Sequence, residues 1–127
     1  MADASPRVAV IVTRGDPHIL ADMATTCTEL ARSGAHLTIF FRDESIPSIC
    51  RPEIAQRILP EGWDVGIESQ LYSRLKAAGQ VGLYACTSSL YLWGVTSDQL
   101  LSVVDGGRGL IAFLAEDVAG AFQVLSY

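Results

Sequence analysis

Residues 7–13, Arg-Val-Ala-Val-Ile-Val-Thr, form a continuous β-branched run, the pattern of a strand covered on both faces. Asp16-Pro17 then offers an N-cap and a proline for the first turn of a helix. Leu20, Met23, Ala24, Cys27, Leu30 and Ala31 recur at helical spacing, and Gly34 ends that element. Residues 36–41, His-Leu-Thr-Ile-Phe-Phe, read as a second strand, and residues 42–50 as a polar loop. Pro52 opens a short helix through Ile54, Ile58 and Leu59, which Pro60-Glu-Gly62 stops. A further helix is expected over about residues 67–78, with Ile67, Leu71 and Leu75 on one face.

The third strand, residues 81–85, runs directly into Cys86. A helix is predicted over residues 87–93, stopped by Gly94, and a short turn begins at Ser97-Asp98. The fourth strand is expected at residues 101–104, a helix at about 110–119 and a closing strand at 122–126. Strands that alternate with helices require crossover connections, and therefore a parallel sheet with helices on both faces. Neither a repeat nor a linker interrupts the pattern, so residues 1–127 read as one domain.

Composition narrows the class. Half of the 127 residues are apolar, 18% are charged and the mean hydropathy is +0.31. That excludes a disordered chain and points to apolar surface kept dry by a partner. No apolar run, Val8 to Val12 and Leu90 to Leu92 among them, approaches the ~18 residues of a membrane helix. The opening Met-Ala-Asp-Ala-Ser-Pro-Arg lacks the basic-then-apolar order of a secretory signal, which makes the cytoplasm the expected location. The net charge is -5, with a single lysine and no basic cluster, so nucleic acid is not an expected partner. Three widely spaced cysteines form neither a disulfide framework nor a zinc site, so no metal or cofactor is expected.

In open parallel sheets ligands bind beyond the carboxyl ends of the strands. Loops 14–17, 42–51, 86–89 and 105–109 reach that rim. There is no phosphate-cradling G-x-x-x-x-G-K-[ST], and Gly106-Gly-Arg-Gly109 lacks dinucleotide spacing, so its glycines read as a tight turn and a helix entry. Asp16 alone does not make a phosphoacceptor site and is better explained as a helix cap. Cys86 is the candidate nucleophile, because a cysteine between a buried strand and a helix meets free N–H groups and a helix dipole. Thr87, Ser88 and Ser89 are placed to cap that helix or to donate to the sulfur.

Around Cys86 the chain reads as lacking a cation. No Lys or Arg occurs between Cys86 and Arg108, which argues against an oxyanion-gripping loop and against a thiol peroxidase. Cys86-Thr-Ser-Ser89 is not C-x-x-C, so a mixed disulfide or persulfide formed there has no local resolving thiol. His18 is the only histidine near the rim and reads as a surface residue rather than a base. The thiol is equipped to carry a group rather than to hydrolyse it. Cys27 falls on an apolar helical stripe and reads as core. Cys50 lies on a rim loop and is a candidate resolving thiol. With the first strand placed between the second and third, the Cys50 and Cys86 loops start about 10 Å apart. A disulfide needs Cα atoms within about 7 Å, so pairing would take loop movement or another subunit. Tyr91 and Trp93, two residues apart, cannot share a helix face, so one of them is expected to point outward into an oligomer interface.

The opening strand Val8-Ala-Val-Ile-Val12, the block Gly82-Leu-Tyr-Ala-Cys86-Thr-Ser-Ser89, Gly94-Val95 and the closing Val124-Leu125 together resemble the DsrE/DsrF-like family of small sulfur-relay proteins, which includes TusD-type subunits. The resemblance implies a flavodoxin-like three-layer sandwich with about five parallel strands, assembling as homo-trimers or hexamers. It implies that the cysteine matched by Cys86 accepts sulfane sulfur as a persulfide. The sulfur would be exchanged with TusA-type carriers in sulfur oxidation or tRNA thiolation. Some members of the family lack the cysteine, so the alternative expectation is a non-catalytic assembly or ligand-binding subunit.

Overall fold

The computed structural model describes residues 5–63 and 69–127. Strand β1 (Arg7–Val12) leads to helix α1 (Pro17–Arg32) and strand β2 (His36–Phe41). A 3-10 segment, Asp43–Ile49, precedes α2 (Pro52–Ile58) and α3 (Ser69–Ala77). Next come β3 (Val81–Cys86), α4 (Thr87–Trp93), β4 (Gly106–Arg108), α5 (Leu110–Phe113) and β5 (Gln123–Ser126). All strand pairs are parallel, and the sheet order is β4-β3-β2-β1-β5. The chain is a flavodoxin-like three-layer α/β sandwich. Its reversal of strand order falls between β1 and β5, whereas the order 2-1-3-4-5 of flavodoxin itself has it between β1 and β3.

Local chemistry explains the principal elements. Asp16 caps α1 by accepting from the His18 and Ile19 N–H groups at 2.8 and 3.3 Å. The stripe Leu20, Met23, Ala24, Cys27 and Ala31 is buried against the sheet, as its spacing predicts. Alternation along the strands then sorts side chains between two cores of unequal size. Val8, Val10, Val12, Leu37, Ile39, Phe41, Leu83 and Ala85 face the larger core, under α1 and α3. Ala9, Phe40, Cys86 and Phe113 form the smaller one, flanked by Ile11, Tyr84, Leu110 and Val118.

Three expectations are corrected. The fourth strand is Gly106–Arg108 rather than residues 101–104. The reason is Asp105, whose carboxylate accepts the Leu83 N–H at 2.8 Å while its own N–H reaches the Leu83 carbonyl at 2.7 Å. That side chain starts the β3–β4 ladder, and residues 101–104 form a turn closed by Val104 N–H on the Leu101 carbonyl at 3.0 Å. Residues 42–50 are not an open polar loop, since Ser45, Ile46, Pro47, Ser48 and Ile49 are all buried in the 3-10 segment. The helix expected to Ala119 widens after Phe113 into a π-helical turn, Leu114–Val118. In α3, Leu75 and the partly buried Leu71 pack on the larger core as their spacing predicts, and Tyr72 is buried beside them, its hydroxyl 3.0 Å from Ser48 Oγ. Ile67 lies outside the described residues.

Candidate functional site

Cys86 is the last residue of β3 and the N-cap of α4, with 2% of its surface exposed. It sits on the face of the smaller core, where the Phe40 and Phe113 rings stack at 4.4 Å between centroids and 9° between planes. The α5–π segment thus covers this face of the sheet. The three hydroxyl residues after Cys86 have separate fates. Thr87 and Ser88 are exposed, and neither supplies a side-chain cap to α4. Ser89 is buried, and its Oγ accepts the Asp43 N–H at 3.0 Å. Among the described residues no hydrogen bond links these hydroxyls to the Cys86 sulfur, so their expected donation to it is absent from this conformation.

The other cysteines separate from Cys86. Cys27 is fully buried on α1, and desolvation pushes its thiol up to about 12. Cys50 faces the larger core, donates to the Ile46 carbonyl at 3.3 Å and is pushed by burial up to about 11. Because β2, not β1, lies beside β3, the loops of Cys50 and Cys86 begin on adjacent strands. The two thiols nevertheless fall in different cores. His18 is exposed on the first turn of α1, after β1, which is two strands from β3.

Arg108 is the neighbour that sequence reasoning missed. The β3–β4 register sets Cys86 opposite Arg108, so the sheet brings a cation across from the cysteine that sequence separation kept apart. The Arg108 guanidinium lies over the Tyr84 ring at 5.6 Å from its centroid. Its Nε donates to Asp117 Oδ2 at 2.8 Å, and its Nη2 pairs with Glu116. The expectation of a cation-free site therefore fails, and with it the ground for setting a thiol peroxidase aside. Gly106-Gly-Arg carries no strand signal of its own, which is why the sequence did not reveal this pairing.

A cavity of about 300 Å³ opens at the carboxyl end of β1, lined in part by Arg14, Asp16, Glu44, Ser48 and Trp63. Cys86 does not line it. Among the described residues no three His, Cys, Asp or Glu side chains come together as a metal site would require, and no helix is long and apolar enough to cross a membrane.

The fold and the rim cysteine define the class as a small parallel α/β sandwich with one candidate thiol site. A solved structure of a protein of unknown function from Methanobacterium thermoautotrophicum is similar, with a TM-score of 0.74 at 16% identity over 97% of this chain and 100% of that one. At this identity the likeness shows the fold alone. No family model matches the chain, and no curated protein matches it.

Proposed function

We propose that this protein is a cytoplasmic sulfur-transfer protein in which Cys86 carries sulfane sulfur as a persulfide and exchanges it with a small TusA-type carrier. The observation that carries this reading is the position of Cys86 at the carboxyl end of β3, in the smaller of the two cores. Burial holds Cys27 and Cys50 protonated at neutral pH, and a thiolate is the required nucleophile. In the transfer, the Cys86 thiolate attacks the terminal sulfur of a carrier persulfide. A bond forms between the Cys86 sulfur and that sulfur, the carrier's S–S bond breaks, and the carrier leaves as a thiolate. The Cys86 persulfide retains the terminal sulfur, and no net oxidation occurs. The resemblance to DsrE-like proteins supports the same assignment and a homo-oligomeric assembly, trimer or hexamer.

The 2% exposure of Cys86 favours a second reading, in which the chain is an assembly or ligand-binding subunit and the cysteine only packs. One experiment separates the two. Incubation with a persulfidated carrier or with polysulfide should add one sulfur, about 32 Da, to the wild type and none to Cys86→Ser. Equal loading of Cys86→Ser, or no loading of either, assigns the chain to the second reading. Peroxide consumption at Cys86 without sulfur loading would assign it to a thiol peroxidase.

A further inference from the structure

Two cations, not one, stand level with Cys86. On one side, β4 sets Arg108 in register with it. On the other, the β2–β3 register ends at Phe41 and Ala85, and the chain stays extended for one more residue at Arg42, with φ -146° and ψ 168°. The Arg42 N–H bonds the Val12 carbonyl at 2.9 Å, so the ladder toward β1 continues through it. Carrying the register on by one residue places Arg42 opposite Cys86. Side chains paired across parallel strands share a face, and neighbouring strands lie about 4.8 Å apart. Arg42, Cys86 and Arg108 therefore form a row across β2, β3 and β4.

Both guanidiniums are occupied by carboxylates of the segments that close the site. Arg108 is held by Glu116 and Asp117 on the π-helical turn. Arg42 Nε lies 3.3 Å from Asp43 Oδ2, yet that nitrogen is buried and makes no hydrogen bond. A buried nitrogen that lies within reach of a carboxylate and yet makes no hydrogen bond to it calls for an explanation. An acceptor that is present only during function supplies one. The π-helical turn fits the same picture, because single π turns inside helices recur at functional sites.

We propose that Arg42 and Arg108 are the cations that hold the Cys86 sulfur anion and draw an anionic persulfide donor to it. Asp43, Glu116 and Asp117 are their counterions in the closed state. Movement of the α5–π segment away from the sheet uncovers Cys86 and frees Arg108 in the same step. The sulfur anion then takes the place of the carboxylates, and Tyr84 remains the platform under Arg108. With the carboxylates displaced, the row leaves two cations beside the sulfur in a chain of net charge -5, a setting suited to a persulfide or polysulfide anion. The inference rests on the reading of Cys86 as the working thiol.

The test compares two alkylating reagents, anionic iodoacetate and neutral iodoacetamide, on the native protein at one pH. Their rate ratio cancels both the thiolate fraction and the opening of the site, so it reports the charge around the sulfur. Arg42→Gln and Arg108→Gln should each lower the ratio about fivefold, the factor for unit charges about 4 Å apart in water-like surroundings. Arg42→Lys and Arg108→Lys should retain most of it, and Glu116→Gln combined with Asp117→Asn should raise it. Circular dichroism checks that each variant is folded. If the glutamine variants do not fold, the lysine and carboxylate variants still decide the sign. Ratios unchanged across the series, or a Cys86 unreactive toward both reagents, overturn the proposal. Sulfur loading with unchanged ratios leaves the carrier reading intact and removes the arginines from it. Shifted ratios with no loading keep the arginines and remove the carrier reading.

Discussion

Trp93 donates its indole Nε1–H to the carbonyl oxygen of Asp43 at 2.8 Å, while Ser89 Oγ accepts the N–H of the same residue. Asp43 has φ 53°, a left-handed conformation uncommon for a residue with a side chain. Ser89 and Trp93 are four apart on α4, one turn from each other on the same face. The helix that Cys86 opens thus grips the turn after β2 from both sides, and the position of Arg42 depends on that grip.

Trp93→Phe keeps an aromatic ring on the partly buried side of α4 but loses the hydrogen bond to Asp43. The expected loss is about 1 kcal/mol of stability, read as a lower urea midpoint at unchanged slope. An unchanged midpoint would show that the bond contributes nothing to holding Asp43 in place.

Asp105 sets the second cation. Its carboxylate accepts the Leu83 N–H at 2.8 Å and pairs with Lys76. Asp105→Ala orphans the Leu83 donor at the point where β4 joins the sheet, at a cost of roughly 1–3 kcal/mol. Asp105→Asn retains an oxygen acceptor and should lose under about 1 kcal/mol, the value of an exposed ion pair. Hydrogen exchange should show the amides of residues 106–108 losing protection in the alanine variant first. Equal losses in the two variants would mean that the ion pair, not the backbone contact, holds the edge.

Periodicity made the layers legible. The β-branched run of β1 and the α1 stripe were readable because each buries a continuous apolar face with its own spacing, and the α1 cap was readable from Asp16-Pro17. The site was readable only as a position. Cys86 was visible because it ends a strand, whereas Arg108 is 22 residues away in sequence and comes opposite it only through the edge strand. That strand is three residues, two of them glycine, and carries no β-propensity. Its start is fixed by the Asp105 side chain, a contact that no periodicity encodes. The 3-10 segment was misread for a similar reason. Ser45 and Ser48 look solvated, yet their hydroxyls find carbonyl acceptors at Val12 and Ser45 within the core.

The buried thiols set an alkaline limit on stability. Burial raises Cys50 to about 11 and Cys27 to about 12, from an ordinary 9.0. Below pH 9 both thiols are protonated in the folded and unfolded chains, and their contribution to stability is intact. Above it the unfolded chain releases protons that the folded chain keeps, so stability falls by about 1.4 kcal/mol per pH unit for each thiol. The decline from Cys50 ends near pH 11 and that from Cys27 near pH 12. Tyr72, also raised by burial, steepens the fall at higher pH. Urea unfolding at pH 7, 8 and 10.5 should give similar stability at the first two and a marked loss at the third. Cys27→Ala should be less stable at pH 7 but decline more gently, and an equally steep decline would remove Cys27 from this account.

The proposed assembly has its own check in the apolar side chains left outside. Tyr91 is 85% exposed, Leu92 80%, Ile111 81% and Phe122 73%, while Trp93 turns inward to Asp43. Tyr91 and Leu92 lie on α4 and Ile111 on α5, the helices that flank Cys86, while Phe122 precedes β5, an edge strand of the sheet. Large apolar side chains this exposed are suited to burial against a partner, and an open edge adds a second means of association. Sedimentation at micromolar concentration should therefore give a mass that is a multiple of 13.6 kDa. Ile111→Asp and Tyr91→Asp should shift the distribution toward the monomer. Each should leave the urea midpoint of the dissociated chain nearly unchanged, since exposed substitutions alter folding by about 0.5 kcal/mol or less. A wild type that sediments at 13.6 kDa would refute the assembly. Unfolding by the aspartate variants would show instead that these side chains support the fold of a single chain.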